Sequence, residues 1–286
     1  IDHETPRKMF RAGETQVTLE SIPTNARHFF EIASEKGILT VAERVLPLQS
    51  GVNFRDVGGY RTADGKRVQW GKVYRAGTLA DLSVADQAYM EALGVKLVCD
   101  LRSDEEVSDE PDRLPDGVTY KHLPVRASDE NARRRRRMLA VMLNPANLRL
   151  TMRDIYIRVM IDENAALIGE VLRQIADDDM LPMVVHCTAG KDRTGIVVAV
   201  LLTLLGVPEK TIVADYSLSN HYYEHFRTYA ARNLKHFSFI GIGTDQVFPL
   251  LIADGSLLKE TLAHIRTQYG SMERYLTTHA GVDADT

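Results

Sequence analysis

The chain has 286 residues, 44% of them hydrophobic and 26% charged, with a net charge of −4. This is the composition of an ordinary soluble globular protein able to bury a large core; the acidic balance argues against nucleic acid as a partner, and Cys99 and Cys187 alone build no disulfide framework. The longest apolar run, Ile196 to Leu205, is interrupted by Thr203 and too short to span a bilayer. The chain begins with Ile1 rather than Met, as a trimmed piece or a processed product would, so secreted, periplasmic and cytoplasmic locations all stay open.

Taken in order, residues 1–40 read as a short strand-rich N-terminal extension, with strands at Gln16 to Leu19 and Arg27 to Ile32 separated by the breaker Pro23-Thr24-Asn25. Residues 41–286 read as one α/β domain. Strands are expected at Val41 to Leu48, Asn53 to Tyr60 and Val68 to Arg75, with a turn at Asp64-Gly65. A helix over Ala80 to Leu93 stops at Gly94, and strands follow at Val95 to Leu101 and Val118 to Leu123. Leu148, Met152, Ile155, Tyr156, Val159 and Met160 share one helical face, as do Leu167, Ile168, Val171, Leu172 and Ile175. Leu181 to Val185 reads as a buried strand and Ile196 to Leu205 as a buried helix. Helices then fit Pro208 to Ser219, Tyr222 to Leu234, Ser256 to Tyr269 and Ser271 to Thr278. Strands alternating with helices predict a central sheet flanked by helices, with its ligand site at the carboxyl ends of the strands.

One such end carries His186-Cys187-Thr188-Ala189-Gly190-Lys191-Asp192-Arg193-Thr194-Gly195. Backbone amides from Thr188, Ala189, Gly190 and Lys191 through to Arg193, backed by the positive end of the next helix, would form an anion-binding concavity. Arg193 would close it with a bidentate fork. A cysteine in that field is a candidate nucleophile toward phosphorus, and Thr194 could hydrogen-bond its sulfur. A nucleotide-binding Walker loop is excluded, because it would need Gly at 185 and Ser or Thr at 192, where Val185 and Asp192 stand. The plainer alternative, Cys187 as a small buried apolar residue, would not require Gly190, Arg193 and Thr194 together.

These residues resemble the signature of the cysteine-dependent phosphatases: His-Cys, five residues, then Arg followed by Ser or Thr. Gly190-Lys191-Asp192-Arg193-Thr194-Gly195 is similar, more narrowly, to the bacterial tyrosine phosphatases typified by the secreted mycobacterial protein tyrosine phosphatase B. Asn53 to Tyr60, Tyr74-Arg75-Ala76-Gly77, Asp100-Leu101-Arg102-Ser103, Ile212 to Tyr216 and Tyr269-Gly270-Ser271 extend the resemblance over about residues 44 to 280. It implies a mixed central sheet, helical lid insertions, and hydrolysis of phosphomonoesters through a phosphocysteine, without metal or cofactor. The implied substrates are phosphorylated proteins and phosphoinositides.

The proton donor to the leaving group has two candidates. Asp192 lies inside the loop; Asp129 follows Leu123-Pro124 by a longer interval than related enzymes use. Asp56 and Asp100 read as partners that orient arginines. Arg55, Arg75 and Arg102 should converge near the loop, with Arg55 and Arg102 as substrate contacts or packed ion pairs, and Lys191 is placed to meet a second phosphate or merely to add positive field. The run Arg133 to Arg137, followed by apolar Met138 to Leu143, suggests a basic lid element that could touch anionic lipid. Cys99 should lie on a strand beside that of Cys187, either as core or as a disulfide partner. Competing functions are an inositol polyphosphate phosphatase of the phytase kind and a catalytically silent phosphate-binding module; a rhodanese-like sulfur transferase would not keep the His-Cys and Arg-Thr framing together. Oligomeric state is not legible.

Overall fold

The computed structural model describes residues 27–35, 37–127, 147–234 and 251–285. Its centre is a five-stranded mixed sheet built from β3 (Arg55–Asp56), β4 (Val73–Ala76), β5 (Leu97–Asp100), β6 (Thr119–His122) and β7 (Met183–His186), in the order β3-β4-β7-β5-β6. Four strands run parallel, and β3 pairs antiparallel with β4 at the edge.

Every residue of β4, β5 and β7 is buried, as expected for parallel strands covered on both faces. Their side chains alternate between two cores. On one face Val73, Leu97, Cys99, Met183 and Val185 pack against α4 (Ala165–Ala176), α5 (Asp192–Leu204), α8 (Gly255–Tyr269) and α9 (Met272–Thr278). On the other, Tyr74, Val98 and Val184 pack against Phe54, Leu79, Leu82 and Met90, the last from α1 (Val84–Ala92). The helix α5 is apolar nearly all round and buried from Thr194 to Leu202, which makes it the central helix of its layer. The polar residues of these strands fall at their carboxyl ends, where Arg75, Asp100 and His186 lead into the loops that bear the site.

The expected helices lie close to their predicted limits: α3 (Asn147–Asp154), α6 (Glu209–Ser217) and α7 (Tyr223–Leu234) complete them. Beyond α3 the periodic face continues as a nine-residue π-helix, Ile155–Glu163, closed by Asn164, whose Nδ2 donates to the carbonyls of Val159 and Arg126, both at 2.7 Å. One helix went unread in the sequence: α2 (Asp104–Asp109), begun by a capping box in which Ser103 Oγ accepts from the Glu106 amide and Glu106 accepts from the Ser103 amide. The pattern Ser-x-x-Glu at 103–106 is its signal.

Three expected strands are corrected: of Val68 to Arg75 only the part within Val73–Ala76 is strand, because Gly71 has φ +73° and turns the chain before it. Over Asn53 to Tyr60 only Arg55 and Asp56 pair as a strand, because Asn53 has φ +56° and Gly59 φ +81°, both incompatible with extended backbone. Val41 to Leu48 is not one strand either: β2 (Gly37–Ala42) ends at Ala42, and beyond it Val45 makes an isolated bridge to Arg55. With β1 (Phe29–Ser34), β2 forms an antiparallel hairpin. Trp70 Nε1 donates to the Thr40 carbonyl at 3.2 Å, and Arg27 pairs with Asp56 at 2.8 Å while lying over the rings of Phe29, Trp70 and Tyr74. The strand expected at Gln16 to Leu19, Asp129 and the run Arg133 to Arg137 lie outside the described residues.

Candidate active site

The segment from Cys187 to Lys191 leaves the carboxyl end of β7 and enters α5 at Asp192. Its carbonyls are held from outside. Thr188 O accepts from the Thr78 amide at 2.9 Å. Asn53 Nδ2 donates to Ala189 O and Gly190 O, each at 3.0 Å, and Arg75 Nη2 donates to Gly190 O at 2.8 Å. In a planar trans peptide the carbonyl and the next amide point opposite ways, so outward carbonyls turn the amides of Ala189, Gly190 and Lys191 toward the inside of the loop. The unpaired first amides of α5 add to them. Gly190 has φ +63°, and a Cβ there would lie 2.2 Å from Ala76 O; only glycine lets the loop sit so close to β4.

The loop's cationic arm is Arg193, held in a bidentate fork by Glu106 of α2: Nη1 to Oε2 at 2.6 Å and Nη2 to Oε1 at 2.7 Å. Thr188 Oγ1 donates to the same carboxylate and accepts from Arg193 Nη2 at 3.1 Å. Burial opposes the charge of Glu106, but the hydrogen bonds and charge of Arg193 outweigh it and bring its carboxyl down to about 2. Burial likewise opposes the guanidinium, yet Cys187 and Glu106 together hold Arg193 above arginine's ordinary range. Sequence reasoning missed Glu106 because it missed α2.

Cys187 is 2% exposed at the base of the loop, and Thr194 is fully buried behind it. The hydrogen bond expected from Thr194 to the sulfur is not present: Thr194 Oγ1 has no partner among the described residues. Asp192 is about one-third exposed. Tyr156, on the π-helix, donates to Asp192 Oδ1, and the Tyr156 and Tyr216 hydroxyls are 2.6 Å apart. Lys191 Nζ lies 3.5 Å from Asp192 Oδ2 and 3.4 Å from Ile252 O, and the residue is 3% exposed. Thr188, Ala189, Lys191 and Asp192 form one wall of a cleft; Val52, Thr78, Leu251 and the His225, Phe226 and Tyr229 side chains of α7 form the rest.

The other arginines stand behind the loop, not at its mouth. Arg55 and Arg102 are each 1% exposed, which leaves neither at a surface that substrate could reach. Arg55 Nε pairs with Asp215 Oδ1 at 3.3 Å, and Arg75 Nη1 with Asp215 Oδ2 at 2.8 Å; Tyr60 donates to Oδ1 at 2.8 Å. Arg102 Nη2 bridges Asp100 at 2.7 Å and Asp112 at 2.8 Å, with His186 Nε2 3.1 Å from Asp112. Asp100, Asp112 and His186 have the makings of a metal site, but the cation between the two carboxylates is the guanidinium of Arg102. Asp100 thus orients an arginine, and Asp56 takes Arg27.

Cys99 lies opposite Val185 in the parallel register, whereas Cys187 is two residues further along. A two-residue offset between parallel neighbours separates Cα atoms by about 8 Å, beyond the roughly 7 Å limit for a disulfide. Burial pushes the Cys99 thiol up to about 12, so it is core.

Residues 46–286 match the tyrosine phosphatase family model. The chain belongs to the tyrosine phosphatase family. A Cupriavidus necator relative bearing a tyrosine-protein phosphatase name is 32% identical over 235 residues, 81% of this chain and 82% of that protein. The triple specificity protein phosphatase PtpB of Mycobacterium tuberculosis is 33% identical over 201 residues, 63% of this chain and 70% of its own length. A solved structure of Pseudomonas aeruginosa TpbA aligns over 58% of the chain and 73% of its own at 18% identity, with a TM-score of 0.32. The protein is therefore a phosphoric monoester hydrolase acting on phosphorylated substrates.

Proposed function

We propose that this tyrosine phosphatase hydrolyses phosphotyrosine with broad specificity, phosphoinositides included, through a phosphocysteine on Cys187. The observation that carries the reading is the loop itself: outward carbonyls, inward amides and the Arg193 fork around one cysteine. In the first step the Cys187 thiolate attacks phosphorus, the bond from phosphorus to the leaving oxygen breaks, and Asp192 gives that oxygen its proton. In the second, water attacks phosphorus, Asp192 takes a proton back, and the sulfur–phosphorus bond breaks to release phosphate. Arg193 and the amides of Thr188, Ala189, Gly190 and Lys191 hold the equatorial oxygens throughout. Tyr156 supports the assignment of Asp192 by tying down Oδ1, so that Oδ2, 3.5 Å from Lys191 Nζ, is the oxygen that would carry the proton.

The lining of the cleft favours an aromatic phosphate over a phosphoserine, since Phe226, Tyr229 and Leu251 offer a phenyl ring an apolar wall. Lys191 supplies local positive field and is too enclosed to serve as an open second-phosphate clamp. The second reading, inositol polyphosphate hydrolysis, would need more cationic side chains than Lys191, the one lysine or arginine among the described residues that line the cleft. Contact of the arginine run with anionic lipid belongs to the same proposal.

The test is a panel of phosphotyrosine peptide, phosphoserine peptide, phosphoinositide and inositol hexakisphosphate at equal concentration. Phosphotyrosine should give the highest kcat/KM; preference for the inositol polyphosphate would overturn the reading. With aryl phosphates of graded leaving group, Asp192→Asn should slow poor leaving groups far more than activated ones. Equal slowing would make Asp192 structural.

A further inference from the structure

Beneath the loop the charges do not balance. Arg55 and Arg75 are 1% and 0% exposed and share one carboxylate, Asp215, the only acidic group within ion-pair distance of either among the described residues. Burial and the like charge of Arg55 push Arg75 down to about 10, so it remains a cation at neutral pH. Tyr60, which donates to Asp215, is held neutral by burial. The trio therefore carries one surplus positive charge, and Arg75 Nε is buried without a hydrogen-bond partner among the described residues. An unbalanced buried charge is costly unless an anion compensates it.

The charge of Cys187 already acts on Arg75 and offsets part of its surplus, and an anion bound in the loop would lie in the same field. Arg75 pairs with Val185 across β4 and β7, so its side chain shares a face with Val185 and, two residues on, with Cys187. Its Nη2 bonds Gly190 O at 2.8 Å and lies 3.2 Å from where a Cβ on Gly195 would sit, placing the guanidinium under both the loop and the first turn of α5. One peptide layer separates it from the loop's interior. Around the loop Arg193 is paired with Glu106, Lys191 Nζ lies 3.5 Å from Asp192 Oδ2, and Arg102 sits between two carboxylates, Asp100 and Asp112, with His186 Nε2 3.1 Å from Asp112.

We propose that Arg75 is a positioning residue for the anion: with Arg55 it holds a surplus positive charge beneath the loop that strengthens the binding of anions it never touches. The inference rests on the reading of this loop as the phosphoryl site, and it adds a specificity. A field from within the protein is weakly screened by salt and grows with ligand charge, so it favours dianionic phosphomonoesters over singly charged esters of similar shape.

The experiment compares alkylation of Cys187 by iodoacetate, an anion, and by iodoacetamide, which is neutral. Both are attacked by the same thiolate with loss of iodide, so their rate ratio reports the potential at the sulfur and not its ionisation or access. Arg75→Met should lower the ratio by about tenfold, Arg75→Lys should keep it near the parent value, and the isosteric Asp215→Asn should raise it. A ratio within about twofold of the parent in Arg75→Met overturns the proposal, because a merely structural arginine would change both rates alike. If Arg75→Met does not fold, an unchanged or lowered ratio in Asp215→Asn overturns it instead. Should inorganic phosphate fail to protect Cys187 in the parent protein, the phosphoryl-site reading fails, independently of Arg75.

Discussion

Two arginine–carboxylate pairs hold the same loop, and they differ in almost everything except chemistry. Arg193 and Glu106 are partly open to solvent, with side chains 24% and 34% exposed, whereas Arg75 and Asp215 are sealed at 0% and 1%. The front pair is a planar fork that an arriving phosphoryl group can engage from the open side. The back pair is sealed, tied to the loop's carbonyls and to Tyr60, and serves the loop's shape and potential. Burial and second partners, not residue type, separate the arginine proposed to bind the phosphoryl group from the one held in the scaffold.

That contrast can be broken by exchanging what each pair is asked to do. Arg193→Ala should cost about 10³-fold in kcat/KM and weaken phosphate binding, with a loss of folding stability, through the freed Glu106, smaller than the loss of activity. A loss of stability comparable to the loss of activity would erase the front-to-back distinction. Asp215→Ala leaves two buried guanidinium groups without a carboxylate and should lower folding stability by about 3 kcal/mol, read by urea denaturation. A smaller and sharper effect concerns Glu106→Gln. Because the folded-state carboxyl lies at about 2, below its ordinary 4.5, Glu106 contributes stability at neutral pH that is lost as pH falls through that interval. The stability difference between parent and Glu106→Gln should therefore be full above about pH 5 and vanish near pH 2; a constant difference across that range would show that the fork is not what Glu106 supports.

Much of this was legible because the signals were local. The strand, the loop with Gly190, and the all-apolar helix after it are written contiguously between Met183 and Leu204, and their period and spacing survive folding unchanged. For Arg55 and Arg102 the sequence left substrate contact and packed ion pair both open, because a strand-end arginine reads the same whether it is exposed or lies sealed in an ion pair. What decides is Asp215, 160 residues away in sequence from Arg55, and Asp112 on the segment before β6. Glu106 was lost for a different reason: α2 has six residues, too short for hydrophobic periodicity, and only its capping box announces it. The Cys99 to Cys187 offset depends on strand register, which no local pattern specifies.

The central claim is that Cys187 takes the phosphoryl group. Rapid acid quench of the protein turning over an aryl phosphate, followed by peptide mass spectrometry, should find phosphate on the peptide containing Cys187. Cys187→Ser should show neither that adduct nor turnover, while still binding inorganic phosphate, because the loop amides are unchanged. Sustained turnover by Cys187→Ser, or phosphate on another residue, would contradict the account.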